Sequence, residues 1–176
     1  MNRKIAQIAW LALIVSLLAL PAFAATIPAL DETQQRVRSQ LVGLPYFGVF
    51  DNLEFQLQGS KVILTGQTVR PTLASDAQAA VERLEEVTEV ENRIEVLPLS
   101  AHDSRLRRAL FRNIYGNSRF IRFSGRSIAP IHIIVKNGHA TLEGAVARQS
   151  DKIWAGILAN QVSGVFSVTN KLEVDS

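Results

Sequence analysis

Apolar residues at helical spacing, followed by short alternating runs, occur twice in this chain. In residues 31–44, Val37, Leu41 and Leu44 recur among Arg36, Arg38 and Gln40, the pattern of an amphipathic helix. Phe55 and Leu57, the turn dipeptide Gly59-Ser60, then Val62 and Leu64 predict a tight hairpin. A second helix is predicted over about residues 73–85, with Thr72 as its cap and Ala77, Ala80, Val81 and Leu84 as its inner stripe. The alternation of Val90, Asn92, Ile94 and Val96 predicts a closing strand. Residues 103–115 start the series again: Leu106, Leu110 and Ile114 form the stripe, Asp103 or Ser104 the cap, and Gly116-Asn117 the stop. Ile131, Ile133 and Val135 lead through Asn137-Gly138 to Ala140 and Leu142. Ser150 then caps a helix with Ala155, Leu158, Ala159 and Val162 inward, Gly164 suits its C-terminal cap, and Val168 begins the last strand. The predicted class is α+β: two αββαβ units, each a three-stranded mixed sheet with two helices on one face.

The two series are copies at a fixed offset of 78 residues. Between residues 55 and 98 the register needs no gap, and nine of the 44 paired positions are identical. Gly66 matches Gly144, and the closing run Val87, Val90, Asn92 matches Val165, Val168, Asn170. Such a repeat fixes the organisation: a first unit at residues 31–98, a linker at 99–102 and a second unit at 103–176. The second copy carries an inserted loop at 117–130.

The amino terminus sets the compartment. Asn2-Arg3-Lys4 precedes an apolar run from Ile5 to Leu20, and Pro21 is followed by the small-x-small sequence Ala22-Phe23-Ala24. This is the form of a cleaved secretory signal over residues 1–24, with a leader at 25–30, and it predicts a periplasmic protein. A bilayer core needs about 20 apolar residues, more than this run supplies, so cleavage is favoured over anchoring. The chain has no cysteine, so no disulfide holds the exported protein together. Removing residues 1–24 lowers the formal charge from +3 to +1, because Arg3 and Lys4 go with them. That balance hides opposite halves: residues 31–98 hold 11 acids and six bases, and residues 101–176 five acids and 11 bases. The second unit is the one drawn to anionic surfaces.

The element order, the glycine closing the second strand, the alanine-rich second helix and the Val-x-x-Val-x-Asn-x-Ile/Leu-x-Val ending resemble the BON domain. The resemblance covers both units, roughly residues 31–98 and 103–174. A pair of such domains behind a secretory signal is similar to the osmotically inducible periplasmic protein family. It implies a bacterial cell-envelope protein attached to phospholipid surfaces. BON domains also occur fused to channels and secretins. The inserted loop departs from the usual pattern, and family knowledge does not extend to it.

Residue chemistry singles out the same region. Seven arginines, Arg105, Arg107, Arg108, Arg112, Arg119, Arg122 and Arg126, follow one another with no intervening acid. Phe111 and Tyr115 lie about 100° from the inner stripe of their helix, and Phe120 and Phe123 sit in the loop. Arginines attract anionic headgroups while aromatic rings enter the acyl boundary. The candidate lipid-binding residues are therefore Arg105, Arg107, Arg108, Phe111, Arg112, Tyr115, Arg119, Phe120, Arg122 and Phe123. Two alternatives compete. The arginines can form a solvated face or pair with the glutamates of residues 82–95, and the loop aromatics can fold back into the core. The corresponding alternative function is a protein–protein or self-association module, with another envelope protein as partner.

Catalytic signatures are missing. His102, His132 and His139 have no metal spacing, although His132 and His139 could approach across the hairpin. The chain has no glycine-rich phosphate loop and no nucleophile elbow. The glutamates of residues 82–95 lack the pairing of acid–base catalysis and any calcium-loop signature. Export argues against nucleic acid as the anionic partner. The expectation is a non-catalytic protein without cofactor or metal, bound to an anionic phospholipid surface.

Overall fold

A computed structural model describes residues 27–124 and 128–175. The secretory signal read at residues 1–24, and Arg126, lie outside the described residues. The first unit comprises α1 (Ile27–Val42), β1 (Asn52–Gln58), β2 (Lys61–Thr68), α2 (Pro71–Glu82), β3 (Glu89–Asn92) and β4 (Glu95–Val96). The second comprises α3 (Ala101–Tyr115), a 3-10 turn (Ile121–Phe123), β5 (Ile131–Lys136), β6 (His139–Val146), α4 (Gln149–Asn160), β7 (Ser167–Asn170) and β8 (Glu173–Val174). In each unit the hairpin is antiparallel, and the last two strands pair in parallel with its second strand. The result is the α+β architecture of two mixed sheets, each with a helix pair packed over a single core.

Four local expectations change. The predicted closing strand is broken at its asparagine, so each sheet has four strand segments rather than three. Asn92 Nδ2 donates to the Ala74 carbonyl of α2 at 2.9 Å, while its Oδ1 accepts from Ile94 N at 3.0 Å. Asn170 does the same with Lys152 and Leu172. The repeated asparagine thus ties strand to helix at the break. Thr72 and Ser150 do not cap their helices, because the helices start earlier and place Arg70 and Arg148 at the cap positions. Ser100, not Asp103 or Ser104, caps α3, accepting from Asp103 N at 3.1 Å. Helix α1 also takes in part of the leader, from Ile27 onward.

The matched glycines have a steric cause. Gly66 and Gly144 adopt φ of 108° and 109°. A Cβ there would lie 2.1 Å from the Asn52 carbonyl oxygen and 2.4 Å from that of Pro130. Only glycine lets the neighbouring backbone come so close. Asn137 and Gly138 both have positive φ, as the tight β5–β6 turn requires.

The units touch through residues 47–50 of the first. Ile133 N, on the open edge of β5, donates to the Val49 carbonyl at 2.7 Å. Phe47 packs against the ring of His132, and Phe50 against Phe111 at 6.2 Å. Val49 and Phe50 join the core of the second unit. Lys136 and Glu95 add an ion pair across the units.

Candidate functional site

Helix α3 sorts its arginines by face. Leu106, Leu110 and Ile114 enter the core, and on the opposite side Arg105, Arg108 and Arg112 are exposed within an arc of about 60°. Among the described residues none of these three pairs with an acid. Among the described residues the acidic half of the chain gives them no ion pair.

Four of the ten sequence-predicted residues turn inward. Arg107 is buried, its Nη2 donating to the Val135 carbonyl at 2.6 Å, and its Nε has no hydrogen-bond partner. Burial lowers its pKa from the usual arginine range, opposed by the carboxylates of Asp103 and Asp51. Tyr115 is buried, with its hydroxyl donating to the Ile131 carbonyl at 2.6 Å and accepting from Ile131 N at 3.0 Å. Burial pushes that phenol up to about 12. Phe120 folds back into the core, as an inserted loop beside a small core favours. Phe111 does reach a second surface, but that surface is Phe50 of the first unit. The outward reading of these four is corrected. The rest of the ten are accessible: Arg105, Arg108, Arg112 and Arg122 are exposed, and Arg119 and Phe123 are half-buried.

The feature that sequence reasoning missed is on α4. Its inner face places Ala155, Leu158 and Ala159 in the core. Its outer face carries Ile153, Trp154 and Ile157, exposed by 52%, 43% and 42%. A helix apolar on both faces needs cover on both. In the first copy the matching positions are Ser75, Asp76 and Ala79. Lining the copies up at the 78-residue offset reveals the change. The search for an inner stripe does not, because it ignores the outer face.

Helices α3 and α4 pack against each other over one core, Asn113 Nδ2 donating to the Leu158 carbonyl at 2.6 Å, which leaves Arg105, Arg108 and Arg112 of α3 and Ile153, Trp154 and Ile157 of α4 exposed outside it. The 3-10 turn carries exposed Ile121 and Arg122, and Arg122 lies near Trp154 of α4. Where the turn meets the start of α4 lies an open concavity of about 480 Å³, lined by Arg119, Arg122, Arg148 and Trp154 among others. Arg119 is held there by Asp151 at 2.7 Å, with its Cζ 5.8 Å from the Trp154 ring centre.

Other concavities and clusters are less directed. A larger groove of about 760 Å³ between the units mixes Arg38 and Lys171 with Glu54, Glu143 and Glu173, so it presents no single sign of charge. His132 and His139 do not meet: β-pairing sets His132 opposite Glu143 and His139 opposite Lys136. His132 is buried beneath Phe47 rather than exposed, and burial lowers its pKa, opposed by the Gly48 carbonyl. His102 and His139 flank exposed Phe166. Among the described residues no three His, Asp or Glu gather as a metal-ligand set, and no helix is long and apolar enough to cross a membrane.

The family model of the BON domain matches residues 29–98 and 117–176, the second match starting after α3. No curated protein matches. Among solved structures, the C-terminal domain of CdsD, the structural protein of the Type III secretion system of Chlamydia trachomatis, aligns at 13% identity and a TM-score of 0.34. That alignment covers 81% of this chain and 96% of that one. A second CdsD structure aligns at 13% identity and a TM-score of 0.32, covering 82% and 92%.

Proposed function

The chain belongs to the BON-domain family, with two copies in tandem, and from that premise we propose that its second unit lies with its helix layer on an anionic phospholipid surface of the cell envelope. BON domains are non-catalytic and are implicated in phospholipid or membrane binding. The observation that supports this reading is the outer face of α4, with Ile153, Trp154 and Ile157 where the first copy has Ser75, Asp76 and Ala79, together with arginines that form no ion pair among the described residues. Ile153, Trp154, Ile157 and Ile121 enter the acyl boundary, while Arg105, Arg108, Arg112, Arg122 and Arg148 meet phosphates. Each cation near such a surface is worth about 1 kcal/mol, so five together support reversible binding. The acidic first unit is repelled from the same surface and stands off it.

Co-sedimentation with vesicles tests this. The protein is expected to bind phosphatidylcholine vesicles containing phosphatidylglycerol and to leave pure phosphatidylcholine in solution. Raising salt from about 0.05 M to about 0.5 M shortens the screening length severalfold and should release most of it. Arg105→Glu, Arg108→Glu and Arg112→Glu together should do the same at low salt. A salt-dependent oligomer that ignores vesicles would instead support self-association through the α4 face.

A further inference from the structure

We propose that the cavity between the 3-10 turn and the start of α4 binds a phosphate monoester, held by Arg119, Arg122 and Arg148. Its lipid form rests on the membrane reading above; its chemistry does not. The three guanidinium groups come from two separate segments, the inserted loop and the residue just before α4, and line one concavity. Asp151 is the one acid in that lining, and its carboxylate is engaged by Arg119. Three cations and one anion leave a net charge of +2, which matches a phosphate dianion rather than a singly charged diester.

Arg119 is fixed for the task. Its Nη1 contacts Asp151 Oδ1 at 2.7 Å and Ser150 Oγ at 3.4 Å, and its backbone N is held by Asn117 Oδ1 at 3.0 Å. Arg122 lies over the Phe123 ring at 4.6 Å. Among the described residues neither Arg122 nor Arg148 pairs with an acid, so their N–H groups are available to a ligand. Planar guanidinium forks suit the several oxygens of a phosphate.

The first copy supplies the internal comparison. Arg70 matches Arg148, but Leu73 replaces Asp151, Asp76 replaces Trp154, and the inserted loop is absent. A buried Asp where the sister copy has a buried Leu is costly without a partner. Arg119 is that partner, so the acid and the loop arginine form a matched pair that the first copy lacks.

The test uses the full chain and two probes. Glycerol 3-phosphate, a soluble monoester, is titrated while the Trp154 indole resonance is followed, with Trp154→Phe for its assignment and dimethyl phosphate as the diester control. Vesicles containing phosphatidic acid or phosphatidylglycerol are compared at matched surface charge. The expected result is a saturable shift with the monoester only, and about tenfold preference for phosphatidic acid. Arg122→Ala and Arg148→Ala should each weaken both by about tenfold, the loss of one charge-assisted contact. Arg70→Ala should change neither. Both variants replace exposed side chains, and unchanged circular dichroism confirms their folding. A shift without vesicle preference identifies a free phosphomonoester as the ligand and overturns the lipid form alone. A shift without any vesicle binding overturns the membrane reading and leaves the cavity's chemistry standing. Equal binding of both lipids with no shift overturns the proposal while surface binding stands.

Discussion

Exchanging Ile153, Trp154 and Ile157 for Ser, Asp and Ala should cut binding to anionic vesicles by about 100-fold and leave the melting temperature nearly unchanged. These are the residues that the first copy carries at the same positions of its own helix, so the scaffold tolerates them. Full burial of such a side chain contributes roughly 1.5–3 kcal/mol, and about half of each remains uncovered in the free protein. Three half-burials together supply about 3 kcal/mol, which is roughly 100-fold in affinity. The new Asp beside a negative surface adds repulsion. Stability should move by less than about 1 kcal/mol, because none of the three lies in the core. Sedimentation with vesicles and thermal melting read the two quantities separately. Retained binding in this variant would remove α4 from the contact.

Asp103→Ala should destabilise the protein by about 3 kcal/mol or more, lowering its melting temperature by about 10 °C. The Asp103 side chain sits at the start of α3 but serves the β5–β6 turn. Its Oδ2 accepts from Asn137 N and its Oδ1 from Gly138 N, both at 2.9 Å. The residue is 1% exposed, so no water replaces the lost acceptors, and a buried N–H without a partner costs about 1–3 kcal/mol. The substitution also strands the buried Arg107, whose charge Asp103 helps to balance. Asp103→Asn keeps one carbonyl acceptor and should lose about half as much. Adding Arg107→Met to Asp103→Ala should recover part of the loss, because an unpaired buried cation is worse than an apolar side chain of similar length. Melting that does not change in Asp103→Ala would show that the turn holds without its carboxylate.

Most of the fold was legible because each element is written twice. The stripes of Val37 and Leu41, of Leu106, Leu110 and Ile114, and of the paired alanine-rich helices all enter the cores they predict. The break at Asn92 and Asn170 was not legible, since alternation continues through it and only the asparagine's bonds to Ala74 and Lys152 create it. Arg107 was misplaced because arginine defaults to the surface; its inward turn depends on the Val135 carbonyl, distant in sequence. Phe111 projects from α3 as the helical spacing predicts, but its partner Phe50 belongs to the other unit, a pairing that local pattern does not encode. The outer face of α4 was visible in the letters but is meaningful only against Ser75, Asp76 and Ala79 of the sister copy. Charge reversal of α3 must accordingly spare Arg107, whose replacement by Glu would disrupt the core rather than test a surface.

On an anionic membrane Trp154 should enter the acyl boundary, and its fluorescence reports the depth of the ring. The chain has two tryptophans, and Trp10 lies in the secretory signal read at residues 1–24, so the protein without that segment carries Trp154 as its sole indole. On vesicles of phosphatidylglycerol and acyl-brominated phosphatidylcholine, its emission should shift to the blue. Bromines nearest the headgroups should quench it most, consistent with a helix face about 5–10 Å into the boundary. An emission spectrum unmoved and unquenched on vesicles that carry the protein down would place the contact on another surface and contradict the account.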